Sequence, residues 1–575
     1  MKHLLLAIGL IAALPAHAQV GAYDRIDALV PMSDGVQLDA SLYIPKAASG
    51  RLPLVVRHHG GGSNKDSPYD VTYALKLVET GRFAVLMYSV RGHGNSEGLF
   101  DFFGPRTTQD FSEMLDWVAS THGEQVDTEN VGSSGYSQGG GESLLPAEQD
   151  ARVKALAVGN TFADLNYALN PNDCFKFSFA TGIFLGAYTS TASRVDVSLA
   201  LRWGAQFDTD TEDIGTPVIP STTEELALRS PQTYVDALVA RKVPLFWTNS
   251  WEDQLFPADH PERMLATLEA AGVPVHYWFA SGGHAAGANF PAEEAQREQA
   301  MLDWFEQYLL GIDHGFASGP KVDYWQRVTG NPRKPGEWEH HTAAAWPIPT
   351  AHNAALYPHA DGTLALEPAA GETADLLNDL VSVNVANDAL VHEVAGNVPG
   401  MGDVLDQVPE SANPLDTIRY TSAVLGAPLN VVGAPVLTVT QESTHAVVQQ
   451  LDAKVWDEDE GGSVQLIWRG AVSGPLGSEV SFALWPNAHR FEPGHRIILT
   501  ISSLDFPTFK PDIEPWSSTI SLADTRLDLP ATPEETDARS GEGEAFGGAL
   551  SGIGGLLTLL GLRCASGRRR GPRSH

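Results

Sequence analysis

The stretch Gly135-Tyr136-Ser137-Gln138-Gly139, which continues into Gly140-Gly141-Glu142, constrains this chain more than any other. Its G-x-S-x-G pattern puts a serine on a sharp strand-to-helix turn with the hydroxyl pushed into open space. Glycines flank such a serine because a side chain there would collide with the neighbouring strand or helix, while the serine itself holds a strained backbone. The chain carries 55 glycines, so a short match of this kind also arises in Gly/Ser-rich loops. The reading therefore depends on what the rest of the sequence supplies around Ser137.

What precedes the motif has the rhythm of a parallel sheet. Residues 23–44 alternate apolar and polar around Ser33-Asp34-Gly35, which predicts a hairpin closed by a turn tolerant of positive φ. Residues 52–57 and 83–90 are too uniformly apolar for one-sided strands and predict central strands buried on both faces. The first ends in His58-His59-Gly60-Gly61-Gly62 and the second in Arg91-Gly92-His93-Gly94. Phe111, Met114, Leu115 and Val118 then follow helical spacing, with Thr107 and Thr108 as the expected N-cap. Strand, helix, strand, helix is the pattern of a doubly wound α/β sheet, and the serine motif follows as its next strand-to-helix turn.

Apolar runs at 153–158, 243–248 and 273–279 predict further strands, and residues 292–310 a helix stopped by Gly311. Residues 160–241 break the rhythm. They predict a mainly helical cap whose Phe175, Phe177, Phe179 and Phe184 either pack its core or line an acyl pocket. After Gly319, short alternating strands separated by Gly, Pro, Asn and Asp run to about residue 529, the pattern of an all-β sandwich or jelly roll. The expected organisation is an α/β-hydrolase-type catalytic domain over 19–319 with a cap insertion at about 160–241, then a jelly-roll domain over 320–530.

The two ends read separately. Lys2 and His3, an apolar run over 4–14 and Ala16-His17-Ala18 make residues 1–18 a signal peptide for a signal peptidase, and export the expected fate. An acidic linker over 531–546 leads to a tail over 547–575, in which Gly547-Gly548 opens an apolar segment closed by Arg563 and Arg568-Arg569-Arg570. This tail resembles the GlyGly-type sorting signals that a rhomboid-like protease removes on the way to the cell surface. The alternative is a short C-terminal membrane anchor held by its positive residues, although the segment is shorter than the ~20 residues needed to span. The formal charge of −34 argues against a nucleic-acid partner, since phosphate binding needs a basic face. Cys174 and Cys564 stand far apart, so no disulfide scaffold, zinc site or cysteine nucleophile is suggested, and no cofactor is called for.

Acyl transfer needs a nucleophile, a base, a carboxylate to orient the base, and donors aimed at the oxyanion. In α/β-hydrolases the order along the chain is Ser, then Asp or Glu, then His. Beyond Ser137, the loop leaving the strand at 243–248 carries Asp253, with Glu252 beside it as a competitor, and the loop leaving the strand at 273–279 carries His284. Both follow the carboxyl ends of expected parallel strands, where open α/β sheets gather their ligand-binding residues. Asp253 would orient His284, and His284 would deprotonate Ser137. The oxyanion donors expected are the backbone N–H of Gln138 and that of Gly60 or Gly61, with His59 bracing the loop. A metal role for His58 and His59 is not expected, because adjacent histidines point apart.

The motifs Val30-Pro31-Met32-Ser33-Asp34-Gly35, Arg91-Gly92-His93-Gly94-Asn95-Ser96-Glu97-Gly98, Gly135-Tyr136-Ser137-Gln138-Gly139-Gly140, Trp251-Glu252-Asp253 and Asp303-Trp304-Phe305-Glu306-Gln307-Tyr308-Leu309-Leu310-Gly311 together resemble the X-prolyl dipeptidyl-peptidase-like family, which includes cocaine esterase and α-amino-acid ester hydrolases. The likeness extends over about residues 24–530 and implies a helical cap, a C-terminal jelly roll, to which residues 338–349 and 491–496 correspond, and hydrolysis of an ester or amide. Two features depart from the family. Gln138 stands where relatives often have tyrosine, and Gly60 lies near the place where many offer a tyrosine hydroxyl to the oxyanion. Three readings follow: a secreted serine hydrolase releasing X-Pro dipeptides, an acyl esterase, or a hydrolase fold kept only for binding. The first needs an acid for the substrate's free amine, with Glu142, Glu252, Asp66 and Asp70 as candidates, and the last predicts a lost triad member. The expected substrate is a small ester or short peptide.

Overall fold

A computed structural model describes residues 22–47, 50–182, 193–199, 203, 222–284, 291–327, 338–350, 352–378, 417–444, 448–511 and 515–532. The expected signal peptide and sorting tail, with Cys564, lie outside these residues, as does Phe184.

The hairpin predicted around Gly35 forms from β1 (Tyr23–Pro31) and β2 (Gln37–Pro45), with Gly35 at φ +87°. β2 runs antiparallel to β4 (Ala84–Tyr88), which pairs in parallel with β3 (Leu52–His58). From β3 the sheet continues in parallel through β5 (Val126–Tyr136), β6 (Val153–Gly159), β7 (Leu245–Ser250), β8 (Val275–Ala280) and β9 (Val322–Arg327). β3, β4, β7 and β8 are buried along their whole length. Both faces are covered, as their continuous apolar sequence requires. Val55 and Val85 face α1 (Pro68–Glu79) and the long C-terminal helix at Pro291–Leu310, whose Met301, Trp304, Phe305 and Leu309 pack there. Leu54, Val56 and Leu86 face the opposite layer, built from α2 (Pro105–His122) and α3 (Gln138–Gln149).

Three local expectations need correcting. The N-cap of α2 is Gly104, not Thr107 or Thr108. Pro105, whose fixed φ suits the first helical position, starts the helix three or four residues earlier. Asp101 then serves the end of the helix, accepting from the Gly104 N–H and the Thr107 hydroxyl. The second correction concerns Gly319: β9 beyond it still belongs to the first sheet. So does β10 (Trp338–Ala343), paired antiparallel with β9, although its sequence was matched to the jelly roll. Apolar alternation marks a strand but not which sheet takes it. The third concerns the phenylalanines of the cap. Phe179 is buried in the core, whereas Phe177 is 38% exposed and contacts Phe506 of the β-domain at 5.5 Å.

The described part of the cap is helical, with α4 (Leu165–Leu169), α5 (Phe177–Gly182), α6 (Thr222–Ala227) and α7 (Val235–Arg241). Helix α8 (His260–Ala270) joins β7 to β8, and the helix Pro291–Leu310 is α9. The C-terminal strands form a sandwich. The long strand Trp516–Ala531 pairs with His352–Pro358, Thr373–Asn378 and Val436–Ser443 in one layer, while Arg496–Ser502 joins Thr417–Ser422 to Gln449–Glu458 in the other. Their inner faces share one apolar core around Trp468, Phe491 and Leu499. His489 bridges to Arg327 of β9, linking sandwich and α/β sheet through main-chain pairing.

Candidate active site

Ser137 stands between the end of β5 and the start of α3 at φ +56°, ψ −125°, a backbone state that L-residues avoid. Its neighbours hold it there. The Ser137 N–H donates to the Gly159 carbonyl at 3.0 Å, and its carbonyl accepts from the Gly140 N–H at 2.9 Å and the Thr161 hydroxyl at 2.8 Å. A Cβ on Gly135 would lie 2.3 Å from the Gly139 carbonyl oxygen, and one on Gly139 would lie 2.7 Å from that of His58. Both flanking glycines are thus required by close backbone approach.

Three strand ends bring the predicted residues together. The Ser137 Oγ lies 2.9 Å from His284 Nε2, and His284 Nδ1 lies 2.8 Å from Asp253 Oδ2. Asp253 is buried, and its other oxygen accepts the N–H groups of Leu255 at 3.0 Å and Phe256 at 2.8 Å. A carboxylate so held keeps its orientation toward His284. The competitor Glu252 turns away, toward Arg327 and Asn487 at 3.4 Å each.

The Gly-rich loop reaches the same place. Gly60 runs beside the Tyr136 carbonyl, 3.9 Å from where its Cβ would be, and Gly61 is exposed. His59 braces this loop: its Nε2 accepts the Val90 N–H at 3.0 Å, so its Nδ1 carries the proton and donates to the Gly60 carbonyl at 2.8 Å. Burial lowers the pKa of His59 to about 4 and that of His58 to about 3, keeping both rings neutral. His58 packs between Tyr88 and Phe111. Gln138 is the first residue of α3, so its N–H stands at the helix start directly after Ser137.

Three of the four candidate amine-binding acids are paired with cations, and the fourth is buried. Asp70 accepts from the buried Arg57 at 3.0 and 2.7 Å. Asp66 pairs with Arg25 at 2.7 Å and Lys65 at 3.0 Å, and Glu252 faces Arg327 as described. Glu142 is buried, which drives its pKa well above the usual carboxyl range and favours the neutral acid.

Several supporting residues belong to no sequence motif. Asn160, at φ +42°, donates to the Gly283 carbonyl and accepts the Ser250 N–H, joining the ends of β6 and β7 to the His284 loop. Phe256 lies edge-on to His284 at 5.3 Å, and Phe162 and Phe103 continue that apolar wall. The flag that could have found Asn160 is its place just past the β6 run.

Residues 34–286 match the family described as X-Pro dipeptidyl-peptidase (S15 family), and residues 314–474 and 477–540 match the X-Pro dipeptidyl-peptidase C-terminal non-catalytic domain. Cocaine esterase from Rhodococcus sp. (strain MB1 Bresler) is 25% identical over 558 residues, covering 84% of this chain and 91% of that protein. Among solved structures, an aminopeptidase from a marine sediment Thaumarchaeota archaeon superposes with a TM-score of 0.66 at 18% identity, over 90% of this chain and 99% of that one. An α-amino acid ester hydrolase gives the same score and identity over 92% and 100%. Both share the fold. With its two matched regions in the same order and spanning most of its length, the chain belongs to the X-Pro dipeptidyl-peptidase and cocaine-esterase-like family of serine hydrolases.

Proposed function

We propose that Ser137, His284 and Asp253 form the catalytic triad of an acyl esterase that works through an acyl-enzyme. The observation that carries this is the unbroken hydrogen-bonded chain from Ser137 Oγ to the buried Asp253 carboxylate. His284 Nε2 takes the Ser137 proton as Oγ attacks the substrate carbonyl carbon. The N–H groups of Gln138 and of Gly60 or Gly61 receive the oxyanion. Collapse expels the alcohol, which takes its proton from His284; water then attacks the acyl-serine by the same route and releases the acid.

Asp70, Asp66 and Glu252 are already held by cations, which supports an ester substrate without a free amine, and Phe256, edge-on to His284, suits an apolar acyl group. A fluorophosphonate probe tests the nucleophile: wild type labels and Ser137→Ala does not, and equal labelling of the two overturns the assignment. Gly-Pro and acetyl esters of one chromophore test the substrate class. Faster turnover conferred by the free amine overturns the esterase reading in favour of the dipeptidyl-peptidase one.

Export completes the proposal. Residues 1–18 act as a signal peptide and residues 547–575 as a sorting tail, with signal peptidase and a rhomboid-like protease as processing partners. Among the described residues, no helix is long and apolar enough to cross a membrane. N-terminal sequencing and intact mass of the native protein check both cleavages, and a chain retaining Met1 and His575 contradicts them.

A further inference from the structure

We infer that Lys176, in the cap, is a positioning residue for the triad carboxylate and acts on Asp253 through two peptide groups. The inference rests on the triad proposed above. Asp253 Oδ1 accepts the N–H groups of Leu255 and Phe256. The carbonyls of those same two peptide units belong to Gln254 and Leu255, and both accept from the Lys176 ammonium, at 3.0 and 2.9 Å. The connection is therefore ammonium, carbonyl oxygen, amide N–H, carboxylate, made twice in parallel. A cation on the oxygen of a peptide polarises its N–H and strengthens what that N–H donates, and burial amplifies the effect.

Lys176 is fully buried, and its ammonium lies 4.6 Å from the centre of the Trp485 ring. An ammonium loses much solvation there, so its position is defined by its acceptors. The backbone that carries it is fixed as well. The Ser178 N–H donates to the Pro507 carbonyl at 3.0 Å, and the Lys510 N–H donates to that of Phe175 at 2.8 Å. Arg469 of the β-domain holds the same loop from the other side, donating to the Gln254 side-chain oxygen at 2.7 Å. Cap and sandwich thus meet on the segment that carries Asp253. The other charges packed nearby have partners: Asp259 has Arg263 and the Tyr167 hydroxyl, and Asp505 has Lys454 and Arg469. His260, beside Lys176, is kept neutral by burial.

The test is a double-mutant cycle on ester hydrolysis with Lys176→Met and Asp253→Asn. Lys176→Met is expected to lower kcat about 10- to 100-fold with KM changed less than about threefold, because only the transition state uses the oriented imidazolium. In the Asp253→Asn background the same substitution is expected to change kcat by less than about twofold, since its effect passes through the lost carboxylate. Lys176→Gln, which keeps a donor without the charge, is measured identically and serves alone where Lys176→Met does not fold. Wild-type kcat in these variants, or an undiminished loss in the Asp253→Asn background, overturns the inference. Fluorophosphonate labelling of wild type but not of Ser137→Ala, measured alongside, keeps that failure distinct from failure of the triad itself.

Discussion

Asp253→Asn removes one charge from a site whose geometry dictates how the new side chain sits. Asp253 Oδ1 faces two N–H donors, so the amide oxygen must take that position, because an NH2 group there would oppose both. The NH2 then faces His284 Nδ1, where the carboxylate oxygen now lies at 2.8 Å. Nδ1 must accept, the ring proton moves to Nε2, and Nε2 donates to the Ser137 Oγ instead of taking its proton. The base is lost while the packing is unchanged. A tautomer error of this kind lowers kcat about ten-thousandfold, about 5.5 kcal/mol of barrier. The assay is kcat on a chromogenic acetyl ester, with thermal unfolding to confirm an intact fold. A folded Asp253→Asn protein that retains more than about a tenth of wild-type kcat refutes the reasoning.

Glu252→Gln should keep kcat within about threefold while lowering the melting temperature, since it loosens the pairing with Arg327 and leaves Asp253 in place; a loss like that of Asp253→Asn would exchange their roles. Gly139→Ala should cost about 1–3 kcal/mol and most of the activity, because its methyl meets two carbonyl oxygens at 2.7 and 2.9 Å. Gly60→Ala, with 3.9 Å of clearance, should leave the melting temperature near wild type, and urea melts compare the two. His59 has a folded pKa of about 4, below the roughly 6.5 of an unfolded histidine, so unfolding takes up a proton between those values. Its contribution is whole above about pH 6.5 and is lost as pH falls toward 4. Melting temperature should therefore depend less steeply on pH over that range in His59→Gln than in wild type, and equal slopes would contradict this. Glu148 has the opposite sign: burial raises its folded pKa well above the usual range, so its contribution is whole below the unfolded value and is lost as pH rises through the folded one. Glu148→Gln should gain in melting temperature relative to wild type from pH 5 to 8, and a pH-independent difference would refute the assignment.

The sequence alone determined the pieces whose physics is local. Continuous apolar runs could only be strands covered on both faces, and Gly135 and Gly139 mark a turn too tight for side chains. The chain order of Ser137, Asp253 and His284, each just past such a run, points to one edge of the sheet for all three. Tertiary structure decided what depends on direction and on distant partners. Asp253 and Glu252 are chemically near-equivalent in sequence, and only the path of their loop turns one to His284 and the other to Arg327. The register of β9 and β10 assigned them to the first sheet, because alternation does not name a neighbour. Asn160 and Lys176 carry no motif at all. A buried amide or ammonium acquires its role from the carbonyls and N–H groups that surround it, and those come from elements far apart in the chain.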